Sequence, residues 1–169
     1  MLDRSRAIAG GGLLAGVRAT PRIGALMFAS AHFPSELSSS EAAAAFTVFS
    51  TRLLVTVDVP IVTRASSMFG VGGGVDWMTA DVLRAPAGAV APRSTSTLDG
   101  LLTALFGVRL ELGESLLLTT AAGLDFDPSP QAFVGRTGTE RSPLLELAAV
   151  RPSVLIALSF SGSDRQGAP

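Results

Sequence analysis

The 169-residue chain contains no cysteine, which removes both a disulfide framework and a thiolate metal site. Charge is scarce. Asp, Glu, Lys and Arg together make up 16% of the residues, against roughly 25% in soluble domains. The net charge is −1, and without a basic run or an aromatic platform no nucleic-acid partner is expected. Tyrosine is absent and Trp77 is the single tryptophan. Long apolar runs are missing as well. A membrane-crossing helix needs about 18 consecutive apolar residues, and charge-free runs such as Ile23–Ser35 are shorter and broken by Gly, Ser or Pro.

What is present is a chain 47% hydrophobic that has no hydrophobic helix. A membrane β-barrel fits that combination, because only every second residue of its strands must be apolar. The length suits one domain over residues 1–169. Residues 1–17 carry a faint imitation of a signal peptide, MLDRSR before AIAGGGLLAGV, and residues 1–9 are read as an N-terminal remnant. The glycine triplet makes a poor helical segment and Asp3 offsets the arginines, so the expectation is an N-terminal remnant of a longer chain. Residues 162–169 are read as a mobile polar tail.

The organising stretch is Thr97–Asp127. At period two, Leu98, Leu102, Phe106, Val108, Leu110 and Leu112 share a face that has no polar side chain. Asp99, Arg109 and Glu111 share the other. The second half repeats the division, with Leu116, Leu118, Leu124 and Phe126 opposed to Asp125 and Asp127. Gly113-Glu114 between them suits a tight two-residue hairpin turn. The first arm holds its alternation well past the roughly 5–6 residues of an ordinary strand. It exceeds even the roughly 9–11 of a strand tilted across a bilayer.

Five further segments alternate in the same way: about Gly10–Thr20, Arg22–Phe33, Phe46–Asp58, Ser66–Ala80 and Val150–Ser161. The last places Val154, Ile156, Leu158 and Phe160 on one face. It is read as reaching back through Leu144–Ala149, with a bulge near Glu146. Ser38–Ala45 is read as a helical turn capped by serine. Charges in all seven segments, among them Arg18, Arg22, Arg52, Asp58, Asp76, Asp99, Arg109, Glu111 and Arg151, fall opposite the apolar face. The connections run short, long, short, long, short, long.

In this alternation and wiring the chain resembles bacterial outer-membrane β-barrel proteins over Gly10–Ser161, at the level of the class. The resemblance implies an all-β, antiparallel, up-and-down transmembrane barrel, with seven to eight strands seen here, in the cell envelope. Its partners would be the lipid bilayer and the barrel-insertion machinery. Leu98, Leu102, Phe106, Val108, Leu110, Leu116, Leu118, Val154, Ile156, Leu158 and Phe160 would face lipid. Arg18, Arg52, Asp76, Asp99, Arg109, Glu111 and Arg151 would form a charge network in the lumen. Mixed signs there favour a salt-bridged plug over an ion-selective pore. Members of that class usually carry aromatic girdles and place both ends in the periplasm. This chain has few aromatics, nine residues follow Phe160, and its strand parity places the two ends on opposite sides. The expectation is therefore the C-terminal part of a barrel of eight or more strands, the alternative being a further strand inside the chain that restores the parity.

No motif points to chemistry. GVGGG at Gly70–Gly74 lacks the following helix of a dinucleotide loop and reads as a smooth stripe where the inner wall is crowded. Asp125 and Asp127 share a face beside Pro128, as at a solvated loop mouth. His32 has Ser30 on its own face but no evident third group, and reads as a polar rim residue. The expectation is a non-enzyme without cofactor or metal. Its role would be structural, adhesive or, in a wider barrel, small-solute passage. The alternatives are a soluble antiparallel barrel holding a hydrophobic ligand and a membrane-barrel hydrolase using His32.

Overall fold

The computed structural model describes residues 9–38, 43–84, 89–90, 94–130, 132–137, 140–146 and 149–160. Eleven strands and no helix occur among the described residues. They are β1 (Gly10–Arg18), β2 (Ile23–His32), β3 (Ser35–Ser38), β4 (Ala43–Val62), β5 (Ala65–Arg84) and β6 (Ala89–Val90). The rest are β7 (Ser94–Glu111), β8 (Leu116–Phe126), β9 (Ala132–Thr137), β10 (Glu140–Glu146) and β11 (Val150–Phe160). β1, β2, β4, β5, β7, β8 and β11 pair in that order, each antiparallel to the next. These seven curl into a half-barrel whose outermost strands, β1 and β11, come within 8 Å at Cα without forming a ladder.

Chain-order pairing follows from the tight turns. At the first, the Thr20 hydroxyl accepts the backbone N–H groups of Arg22 at 3.2 Å and Ile23 at 2.9 Å, leaving Pro21 no ladder bond to lose. At the second, only residues 63–64 separate β4 from β5. The third differs from the expected two-residue turn. Leu112 N–H bonds the Leu116 carbonyl at 2.9 Å and encloses residues 113–115.

The structure corrects the sequence reading in other places too. β4, β5 and β7 run well beyond the expected segments, because Ala43–Ala45 and Ser94–Ser96 find ladder partners on β5. The helical turn expected over Ser38–Ala45 is not formed where it can be seen. Ser38 and Ala43 are paired strand residues, and residues 39–42 lie outside the described set. The backward extension of the last strand is replaced by a second sheet. Leu144–Glu146 belong to β10, which pairs with β9 in a three-stranded sheet completed by β6, and the register breaks between Pro143 and Leu145. The N-terminal remnant (apart from Ala9) and the polar tail both lie outside the described residues.

Registration sorts the side chains of the main sheet into two walls. Even-numbered residues of β1, β2, β4 and β5 share the concave wall with odd-numbered residues of β7, β8 and β11. The concave wall is buried and the convex wall is exposed. Leu13, Val154 and Phe160 on the convex side are 83%, 82% and 83% exposed, whereas Arg52 and Asp99 inside are each 3% exposed. A compact water-soluble fold places these residue types the other way round.

Candidate functional site

The interior is filled in alternating layers. Nearest the tight turns stand Arg18, Asp58 and Arg109. Above them Leu26, Leu54, Met68, Leu105 and Ala121 form a buried apolar cluster, joined by Leu14, Phe28 and Leu155. Next comes an ionic layer of Arg52, Asp76, Asp99, Asp125, Asp127 and Arg151. A second apolar cluster, Phe46, Val48, Met78 and Ala80, lies on β4 and β5 towards the end away from the turns. Apolar and ionic side chains thus share the concave wall in successive layers.

The ionic layer joins distant strands as well as neighbours. Arg52 on β4 reaches Asp76 on adjacent β5 at 2.7 Å and Asp125 on β8 at 2.9 Å. Arg151 on β11 reaches back to Asp76 at 2.9 Å and meets Asp127 at 2.6 Å. The Thr103 hydroxyl donates to Asp125, and two Arg52 N–H groups go to backbone carbonyls of Thr51 and Val75, each at 3.1 Å. All thirteen basic side chains of the protein are arginine. The planar five-donor fork of arginine can bind two carboxylates and two carbonyls at once, which a lysine ammonium cannot match in this geometry.

Room for the fork comes from glycine. A Cβ on Gly74, which pairs with Arg52 across the ladder, would stand 2.5 Å from Arg52 Cδ. The Gly70–Gly74 stretch therefore lies inside a strand, where its inward glycines leave the crowded wall open to larger neighbours.

Asp99 is the exception in the layer. Its side chain is 1% exposed, its closest cation is Arg151 Nη2 at 3.8 Å, and neither carboxyl oxygen has a hydrogen-bond partner among the described residues. The register pairs it directly with Asp76, so two carboxyl groups face each other across one ladder rung.

Six residues of the expected charge network, Arg18, Arg52, Asp76, Asp99, Arg109 and Arg151, make ion pairs within the concavity. Glu111 is a correction: it stands exposed at the turn end, on the rim of the concavity. Asp125 and Asp127 are corrections as well. They do not form a solvated loop mouth, because Asp127 is 2% exposed and both carboxylates are spent on arginines. Period two placed them on the charged face, but their pairing depends on how tightly the sheet curls.

Leu98, Leu102, Phe106, Leu110, Val154, Ile156, Leu158 and Phe160 are exposed on the convex wall. Val108, Leu116 and Leu118 stand on the same wall, half-buried near the hairpin end. Phe69 and Phe106 pack there with ring centroids 5.0 Å apart.

His32 is half-buried on the concave wall, and the hydroxyl it meets is that of Ser50, with Nε2 to Oγ at 3.4 Å. Its Nδ1 is buried with no partner among the described residues. A serine nucleophile needs its histidine oriented by an acid at that nitrogen, and the described residues place none there. No group of His, Asp and Glu among the described residues could hold a metal ion. No known protein-family model matches the chain, and no curated protein is similar to it.

Proposed function

We propose that the chain is an outer-membrane-type β-barrel protein whose convex wall contacts acyl chains and whose interior is a salt-bridged plug. One observation carries this reading: the wall bearing Leu, Ile, Val and Phe faces outward while the ionic side chains are buried within. Among the described residues of the seven main strands, only Asp81 on β5 is a charge on the convex wall, and it stands beyond Trp77 and Thr79. A charge on a lipid-facing wall costs about 2–4 kcal/mol at the bilayer midplane. In water the same positions would tolerate charge freely, so its absence supports a wall covered by acyl chains.

The height of the band agrees. From Phe49 to Ile61 the convex residues of β4 are apolar except Thr51. That span rises roughly 40 Å along the strand at about 3.3 Å per residue. At the roughly 40° tilt of such barrels the rise along the membrane normal is about 30 Å, close to the hydrocarbon thickness of a bilayer.

The expected location is the bacterial outer membrane, with insertion by the barrel-assembly machinery. The filled interior favours a structural or adhesive role over solute passage. A soluble barrel with an enclosed apolar ligand site would need the opposite orientation of both walls. Detergent phase partition of the purified full chain tests the proposal. Recovery in the detergent phase supports it, and recovery of folded protein in the aqueous phase ends it.

A further inference from the structure

We infer that the turn end of the half-barrel holds a binding site for a small oxyanion, a phosphate or carboxylate group. A cavity of about 150 Å³ opens there beside the β1–β2 and β4–β5 turns. Arg18, Arg64 and Arg109 line it, against the carboxylates of Asp58 and Glu111. The lining thus has one more cation than anion.

The three guanidiniums are not equally committed. Arg109 is held by Asp58 and is largely buried, with 12% of its side chain exposed. Arg18 reaches the same Asp58 oxygen only at 3.5 Å, and 53% of its side chain is exposed. Arg64, in the β4–β5 turn, is exposed and makes no ion pair among the described residues. Asp58 therefore fixes one fork and leans the second towards it, leaving most N–H donors of Arg18 and Arg64 unspent at the mouth. Planar forks with free donors match the paired oxygens of a carboxylate or phosphate. The small volume of the cavity fits a single small anionic group.

The lining side chains belong to the concave wall and the turns. The site accordingly does not depend on what covers the convex wall, and it would stand if the membrane proposal fell.

The test is calorimetric titration of the purified full chain at low ionic strength, with inorganic phosphate in one arm and acetate in the other. One saturable site is expected. Arg18→Gln and Arg64→Gln should each weaken it roughly tenfold, the loss of one charge-assisted hydrogen bond. Arg84→Gln at the far end of β5 should leave it unchanged. Tighter binding of phosphate assigns a phosphate group as the natural ligand, and tighter binding of acetate a carboxylate. Absence of saturation by either anion overturns the site. So does an equal loss in Arg84→Gln, which would mark general charge attraction.

Discussion

The Arg52 guanidinium on β4 clasps the Asp125 carboxylate on β8 with bonds of 2.9 and 3.3 Å, across 73 residues of chain and two intervening strands of the sheet. Only a strongly curled sheet can bring those positions together. The pair therefore reports the curvature of the half-barrel and helps to hold it.

Removing one partner should be costly. Arg52→Ala leaves Asp76 and Asp125 buried without their shared cation, and breaking such a pair costs about 3–5 kcal/mol. Denaturant unfolding of the refolded protein should show that loss. The double-mutant cycle of Arg52→Ala with Asp125→Ala should give a coupling well above the 0.5 kcal/mol that typically bounds additive, independent sites. Additive effects would show that the clasp is incidental.

Asp99 should behave in the opposite way. Its carboxyl oxygens have no hydrogen-bond partner among the described residues and it faces Asp76 across a rung. Asp99→Asn removes a buried negative charge that lacks a close partner, so stability should be unchanged or higher. The same unfolding assay checks it. A loss as large as that of Asp125→Asn would mean that Asp99 anchors the layer after all.

Glycine substitutions should separate the two walls. Gly74→Ala drives a Cβ against Arg52 Cδ and the Thr51 carbonyl, and overpacking of this kind costs about 1–3 kcal/mol. Gly100 has nothing within 4 Å of its would-be Cβ. Gly100→Ala on the convex wall should be neutral by the same measurement.

The two apolar clusters and the ionic layer between them predict no steady current. Planar-bilayer recordings of the inserted protein should be silent, and Arg52→Ala or Arg151→Ala should remain silent while losing stability. Regular single-channel steps from the unaltered protein would contradict the plug.

The two walls were legible from the sequence because alternation at period two needs no knowledge of the fold. Leu13, Leu53, Leu102 and Ile156 come out on one wall by counting alone, and Arg52, Asp99 and Arg151 on the other. The partners were not legible. Asp76 pairs with Arg52 beside it but also with Arg151, 75 residues away, and that distance is set by curl. The apolar clusters inside were hidden for a different reason. Leu26, Leu54, Leu101 and Leu105 lie on the charged wall, where a narrow interior is filled by packing as much as by ion pairs. The strands in the long connections carry Pro143 and Gly135 within short runs, which weakens any alternation signal.

Trp77 offers the most direct test of where the convex wall looks. It is the single tryptophan, it lies on that wall near Phe49 and Leu98, and it is 58% exposed in the protein alone. Its fluorescence can be recorded in vesicles of lipids brominated at defined acyl positions, and separately with aqueous iodide. The membrane account predicts strong quenching by bromine in the acyl chains and weak quenching by iodide. Full access to iodide with no effect of brominated lipid would contradict it.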